Sequence, residues 1–480
     1  MHKNTRRLST LAVAVIGLIA AGQAGASGFQ LRENSVKNIG RAYAGSTVAS
    51  DGSSVYNNPA AMVNANGNLF QADVAGIDLT AKFSGSASFP TPLGPQPISG
   101  GNGGDPGSLT AVPAMSAIFK MKGALEGLTL GVGVDAPYGL KTEYEKGWIG
   151  RYNATVSSVK AVDLTLSAAV QVTPMLSAGI GLVYERIDVT LGKDIPLSAI
   201  LVGGLCSNPQ SPCPPAQAGA LAATPDGNST LKGKDNAVGF IAGLQLKPSD
   251  TFTIGYAHRS AIRHHIDGNA AFTTPGQFQG MQPGFRLLST NPALPAAQRA
   301  GLAVLGNGFV DAKGRASVST PSTDTLSVDW KVSDRVNLYG EVQQTGWSSL
   351  KSVDISFSNP YQPQSSEAFN WKDSTFASIG VDYKLNDAFT LRGGVGFDKT
   401  PTNNTDRTPR LPDNDRTLFS VGGTWNATKA LSVDAGYTRV EIKSPTVNLS
   451  ANAAAGRYNN LTGSFKGHAD VFGFAASYKF

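Results

Sequence analysis

Phe472, Phe474, Ala476, Tyr478 and Phe480 take every second position at the C-terminus, opposite Gly473, Ala475, Ser477 and Lys479. Period two marks a strand with one apolar and one polar face. An aromatic closing the apolar face suits a membrane–water interface. The pattern recurs upstream. Leu326, Val328, Trp330 and Val332 alternate with Thr325, Ser327, Asp329 and Lys331, and Phe252, Ile254 and Tyr256 with Thr251, Thr253 and Gly255. Phe389, Leu391, Val395 and Phe397 share one parity against Thr390, Arg392 and Asp398. After Ser27 no apolar run is long enough for a helical span. Lipid offers the backbone no hydrogen-bond partners, so strands cross it only as a closed barrel.

Strands are predicted near 69–83, 112–121, 127–136, 153–172, 175–191, 231–246, 251–267, 314–332, 335–357, 369–384, 388–398, 414–426, 430–443 and 464–480, fourteen in all. Tight turns of Pro, Asn, Asp and Ser, such as Pro248-Ser249-Asp250 and Asn386-Asp387, join alternate pairs. Long connections join the others: 84–111, 137–152, 192–230, 268–313, 358–368, 399–413 and 444–463. Short turns on one side and long loops on the other belong to bacterial outer-membrane barrels. A fourteen-stranded ring is too wide for its own side chains to fill. The Gly-rich, turn-rich stretch 27–62, ending Asn57-Asn58-Pro59-Ala60-Ala61-Met62, is the available filling.

Composition agrees. Gly stands at 55 residues, charged residues at 15% and hydrophobic residues at 41%, an average over a lipid face and a polar lumen. Lys3, Arg6 and Arg7 precede the apolar run Leu11 to Ala20, and Ala24-Gly25-Ala26 supplies a small-x-small cleavage pattern. This reads as a secretory signal cut before Ser27. Its removal lowers the formal charge from +6 to +3, too little to argue for nucleic acid. The expected division is signal 1–26, plug 27–68 and barrel 69–480. Cys206 and Cys213 flank a Pro-containing loop without His, which in an oxidising compartment favours a small disulfide over a metal pair.

Gly28-Phe29-Gln30-Leu31, Gly40-Arg41-Ala42-Tyr43-Ala44-Gly45 and Asn58-Pro59-Ala60 together resemble the hatch of the FadL/TodX-type outer-membrane transporters. Tyr138-Gly139-Leu140-Lys141-Thr142-Glu143-Tyr144 resembles that family's third-strand exit. Leu391-Arg392-Gly393-Gly394-Val395-Gly396-Phe397-Asp398 and Leu411-Pro412-Asp413-Asn414-Asp415-Arg416 extend the match. The resemblance implies an all-β membrane fold, a fourteen-stranded antiparallel barrel with an N-terminal hatch of short helices. It implies passive transport of long-chain fatty acids, or of aromatic or alkane hydrocarbons. Capture would occur among loops 192–230 and 268–313, with Leu201, Val202, Leu205, Phe278, Phe285, Leu287 and Leu288 setting the choice. A hatch shift and sideways release at the third strand would follow.

On this resemblance Phe29 touches ligand, with simple plug packing as the alternative. Arg186 and Lys351 align with head-group residues, against the reading of each as a solvated rim charge. Alternation from Val336, Leu338 and Val342 turns Lys351 toward the lumen. Alternation from Leu176, Ala178, Ile180 and Leu182 turns Arg186 to the lipid side. Asn58 and Pro59 set the last turn of the hatch. Pro137 and Gly139 suit an inward kink, though Pro137 equally suits a strand end.

No enzyme is expected. His264 and His265 point to opposite faces and cannot share a metal. A barrel esterase needs Ser beside His on the outer face, and His258 shares parity with lipid-facing Tyr256. A general porin, the third reading, has no use for 27–62. No cofactor or nucleic acid is expected. The partners expected are the hydrophobic cargo, outer-membrane lipid and lipopolysaccharide, and the barrel-assembly machinery through Phe480, for a monomer in the Gram-negative outer membrane.

Overall fold

The computed structural model describes residues 27–91, 94–206, 213–452 and 456–480. The signal expected at 1–26 lies outside them. Alternating sequence becomes fourteen wall strands, several interrupted by a short break. They are β1 (Leu69–Phe89), β2 (Leu109–Lys120), β3 (Leu128–Asp135, then Gly139–Glu143), β4 (Val156–Gln171), β5 (Leu176–Ile195), β6 (Gly227–Ser249) and β7 (Phe252–Arg259, then Ile262–Thr273). The ring continues through β8 (Ala312–Thr320, then Thr323–Lys331), β9 (Val336–Thr345, then Ser352–Phe357), β10 (Ser365–Ala368, then Ser374–Lys384) and β11 (Phe389–Asp398). It ends with β12 (Arg416–Asn426), β13 (Leu431–Ile442, then Thr446–Leu449) and β14 (Asn460–Lys479).

Each strand pairs antiparallel with the next, and β1 closes on β14 from Leu69↔Lys479 to Ser88↔Asn460. Closure gives every strand a neighbour on both sides. Among the described residues no helix is long and apolar enough to cross a membrane. Outward positions carry the exposed apolar side chains, among them Ile180, Leu182, Phe240, Leu244, Trp330, Phe397 and Phe474. Inward positions of the same strands carry buried polar groups such as Asp73, Ser167, Glu185, Ser327 and Asp434.

Residues 27–68 precede β1 and fill the lumen. They form two single-turn helices, α1 (Val36–Ile39) and α2 (Ser54–Asn57), and a 3₁₀ turn at Pro59–Asn64. Their packing explains much of the glycine. A Cβ on Gly179 would lie 2.5 Å from Ala60 N, and one on Gly243 1.8 Å from Asn58 Oδ1. The wall is bare there because plug main chain at Gly179, and the Asn58 side chain at Gly243, approach it closely. Polar contacts complete the fit. Asp73 accepts the Val36 N–H at 2.9 Å, Arg41 pairs with Asp382 at 3.7 Å, and Thr438 donates to the Ile39 carbonyl at 2.9 Å.

Candidate functional site

The β5–β6 connection carries α3 (Leu197–Leu205) and α4 (Pro215–Ala222), and the β7–β8 connection carries α5 (Gly276–Ser289) and α6 (Ala296–Asn307). None is long enough to bury an apolar face alone. Together Leu197, Leu201, Leu221, Phe278, Phe285, Leu302, Leu305 and Phe309 form one buried cluster. Val202 and Leu205 pack against it partly buried, and the Cys206–Cys213 disulfide fastens α3 to the segment entering α4. Leu287 and Leu288 stay in solvent, Leu287 at 75% exposure.

A cavity of about 220 Å³ lies between these connections. Ile200, Phe272, Val304, Phe309, Ile355 and Phe357 give it an apolar wall, while Lys193, Arg410 and Arg457 supply cations. Arg410 is already engaged, with Glu367 at 2.9 Å and Ser157 Oγ at 3.1 Å. Lys193 meets the Gly456 carbonyl at 3.3 Å and, among the described residues, no carboxylate. It lies at the end of β5 beyond Arg186 and Asp188, clear of the apolar belt. Burial, with Arg410 acting the same way, lowers its pKa to about 8. Glu367, held by Arg410, acts on Lys193 only from a distance, and an ammonium without a direct ion pair beside apolar rings suits an anionic head with a hydrocarbon tail.

Leu411, next to Arg410, belongs to a buried cluster with Phe29, Tyr138, Leu140, Trp347, Leu350 and Trp371. Phe29 is held edge-on by Trp347 at 4.7 Å and Tyr138 at 5.9 Å. It is packed into the plug's aromatic layer. Its segment also pairs with the wall. Leu31 N–H donates to Pro137 O at 2.7 Å, and Gly139 N–H to Phe29 O at 2.8 Å.

Those two bonds fall where β3 breaks. Asp135 pairs with Asp163 on β4, yet Gly139 pairs with Lys160, so β3 spends three residues where β4 spends two. This is a one-residue bulge at Ala136–Tyr138. Beyond it β3 leaves β2: their pairing covers Met115 to Lys120, and Leu109 to Ala114 pair only with β1. A gap in the wall results. Above it Glu143 N–H meets Pro106 O at 3.1 Å, and inside it a cavity of about 80 Å³ is lined by Gln30, Arg32, Asp135, Pro137, Tyr138 and Arg259 among others. Arg259 bridges Asp163 (2.6 Å) and Glu185 (2.8 Å), and His264 also bonds Glu185 at 2.8 Å. Tyr138 hydroxyl donates to Pro321 O at 3.0 Å, fixing the kinked residue across the lumen.

Asn58 caps the 3₁₀ turn, accepting from Ala60 N at 3.1 Å, while its amide donates to Thr47 O (2.7 Å) and Leu244 O (3.1 Å). Pro59 is the first residue of that turn. The two head-group residues carried over by resemblance stand elsewhere. Arg186 is on the outer face, paired with Asp188 at 2.9 Å, as alternation along β5 requires. Lys351 is exposed, donating to Trp371 O at 3.3 Å. The turn Trp347–Ser349 interrupts β9, so alternation counted from Val336 does not reach it. Neither lines the cavity. Lys193 has the inward parity of Val183, Glu185 and Ile187, and that signal was readable from sequence. Arg410 sits in an irregular loop where no period applies.

His258 bonds Asp324 at 2.9 Å. His265 Nδ1 faces Ser317 Oγ at 3.2 Å on the outer surface, without a carboxylate to orient the imidazole among the described residues. Among the described residues no group of three or more His, Cys, Asp or Glu side chains is placed to hold a metal ion.

Residues 17–480 match the sequence profile of the family described as outer membrane protein transport protein (OMPP1/FadL/TodX). The long-chain fatty acid transport protein of Escherichia coli K12 is 28% identical, over 92% of this chain and 93% of that one. Outer membrane protein P1 of Haemophilus influenzae Rd is 25% identical over 98% and 99%. Among solved structures, a Pseudomonas aeruginosa FadL homologue superposes with a TM-score of 0.81 at 24% identity, covering 95% of this chain and all of the other. The Pseudomonas putida toluene transporter TodX gives 0.65 at 16%, covering 96% and 100%.

Proposed function

The chain belongs to the OMPP1/FadL/TodX family of outer-membrane transport channels for hydrophobic compounds, and from that premise we propose that it admits long-chain fatty acids and releases them sideways through the gap between β2 and β3. Lys193 carries the choice of cargo: its ammonium faces a cavity with an apolar wall and, among the described residues, makes no direct ion pair, the cavity's Glu367 being held by Arg410. The acid lands on the exposed Leu287 and Leu288, and its head is drawn to Lys193 and Arg410 as the tail lies against Phe272, Phe309 and Phe357. Passage inward requires the Phe29 layer to give way. Phe29 and Leu31 are bonded to the kinked part of β3, so this movement and access to the gap are coupled, with 27–68 acting as hatch and Asn58-Pro59 as its seat.

Sideways release follows from energetics. Each methylene gains about 0.8 kcal/mol on leaving water, and a watery exit forfeits that gain. The lumen is occupied by residues 27–68, which speaks against a general porin.

The experiment compares uptake of labelled oleate and labelled toluene by cells that carry or lack this protein, together with a variant lacking Pro137. Removing one residue restores the β3–β4 register and lets β3 pair with Leu109 to Ala114. Oleate uptake is expected to depend on the protein and to be lost in the variant, while purified variant still binds oleate. Toluene uptake without oleate uptake would reassign the cargo to hydrocarbons. Full transport by the variant would refute release through the wall.

A further inference from the structure

Above the apolar belt the outer face of the ring becomes charged, unevenly. On β4, β5 and β6 the belt ends at Leu164, Tyr184 and Val238, which stand side by side in register. Two outward positions higher, one row crosses five strands as Lys160, Asp188, Lys234, Asp267 and Arg315. Lys232 stands one outward position above Lys234, and Arg263 two outward positions below Asp267.

Pairing within the patch consumes Arg186 on Asp188 and Arg315 on Asp267, each at 2.9 Å. Lys160, Lys232, Lys234 and Arg263 have no carboxylate within ion-pair distance among the described residues. The far side of the ring differs. On β13 and β14 Arg439 is shared by Glu441 and Asp470, each at 2.8 Å, and His468 lies 3.7 Å from Asp470. Lys82 and Lys466, opposite each other on β1 and β14, also lack an ion pair among the described residues, but they are two against the four on β4–β7, so the larger surplus of positive charge belongs to this face.

We propose that this face of β4–β8 is a docking surface for the phosphorylated head groups of outer-leaflet glycolipids. Phosphate oxygens accept charge-assisted hydrogen bonds from ammonium and guanidinium groups, and anionic head groups are drawn to basic clusters at the membrane surface. The lipid's other half matches too. Directly below the cations, Ile180, Leu182, Val238 and Phe240 are exposed for acyl chains. A soluble anion would use the upper half alone; a phosphorylated lipid uses both. This surface is independent of what passes through the channel.

The test uses the full-length protein in detergent, titrated with a diphosphorylated lipid A and with the same lipid freed of phosphate. The variants are the triple Lys232→Gln, Lys234→Gln, Arg263→Gln and, on the far side, the double Lys82→Gln, Lys466→Gln. All five positions are exposed, and heat-modifiable migration on gels verifies folding. The triple variant is expected to bind diphosphorylated lipid roughly a hundredfold more weakly, from three cations near the surface. Dephosphorylated lipid should bind wild type as weakly, and the far-side double should match wild type. Equal loss in both variants, or wild-type binding by the triple, overturns the proposal. Displacement of the lipid by millimolar inorganic phosphate overturns it as well, by showing a plain anion site.

Discussion

Lys193 puts the proposed cargo to the test at a single residue. In an unfolded chain a lysine titrates near ~10.4, whereas burial brings Lys193 to about 8. The depressed value means the folded protein disfavours the proton. That cost to folding is full below pH 8 and fades as pH rises toward the unfolded value. A carboxylate needs the proton in place, so its binding takes one up. Affinity for laurate should therefore fall as pH rises through 8, by up to about tenfold per pH unit. Lys193→Arg, whose charge does not titrate in this range, should remove the step, and Lys193→Met should weaken binding at every pH while removing it too. Calorimetry in two buffers of different ionisation heat measures the proton directly. A flat profile in wild type would assign the head group to the arginines, Arg410 and Arg457, instead. Period two was enough to place Lys193 inward and Arg186 outward. Choosing between them required knowing which inward cation lacks a partner, and partners such as Glu367 for Arg410 come from segments far apart in sequence.

At the scale of elements the strands were readable because each has one wet and one greasy face. The alternation fails where strands break. Pro137 marks the break at Ala136–Tyr138 but not its direction, and the interruption of β7 after Arg259 and the turn after Thr345 shift the phase with little mark in composition. The gap itself depends on register with β4 and β2, which no local window contains. Helices α3–α6 of the long connections were likewise hidden, short and marginal alone, and stable because all four share one cluster. Their cross-link should act locally. Closing so short a loop contributes about 2 kcal/mol, and it falls on α3 and α4 alone. Replacing Cys206 and Cys213 with Ser should leave the melting of the barrel unchanged and lower oleate affinity by no more than about tenfold. Loss of the wall's own melting transition would instead tie these helices to barrel stability.

For the whole molecule the decisive relation is between ring and plug. Many inward wall positions are glycine because the plug's main chain occupies the space a side chain would take, and two faces meet so closely only if they are built for each other. Gly179 makes this testable. A Cβ there falls 2.5 Å from Ala60 N and 2.6 Å from Pro59 C, both main-chain atoms with no flexible end to swing aside. Ser177, one inward position away, donates to Ala60 O at 3.0 Å and pins the same turn. Gly179→Val should therefore unseat Asn58-Pro59 while leaving β5 favourable, since a branched side chain suits a strand. Asn58 then loses its bonds to Thr47 O and Leu244 O, and the seat no longer holds the plug against the wall. In planar bilayers the variant should show steady ion conductance where wild type is closed, with normal heat-modifiability showing the ring intact. Gly219→Ala on α4, with nothing within 4 Å and no positive φ, serves as the control and should stay closed. A closed Gly179→Val channel with unaltered oleate uptake would mean that the turn at Asn58-Pro59 is not what seals the lumen.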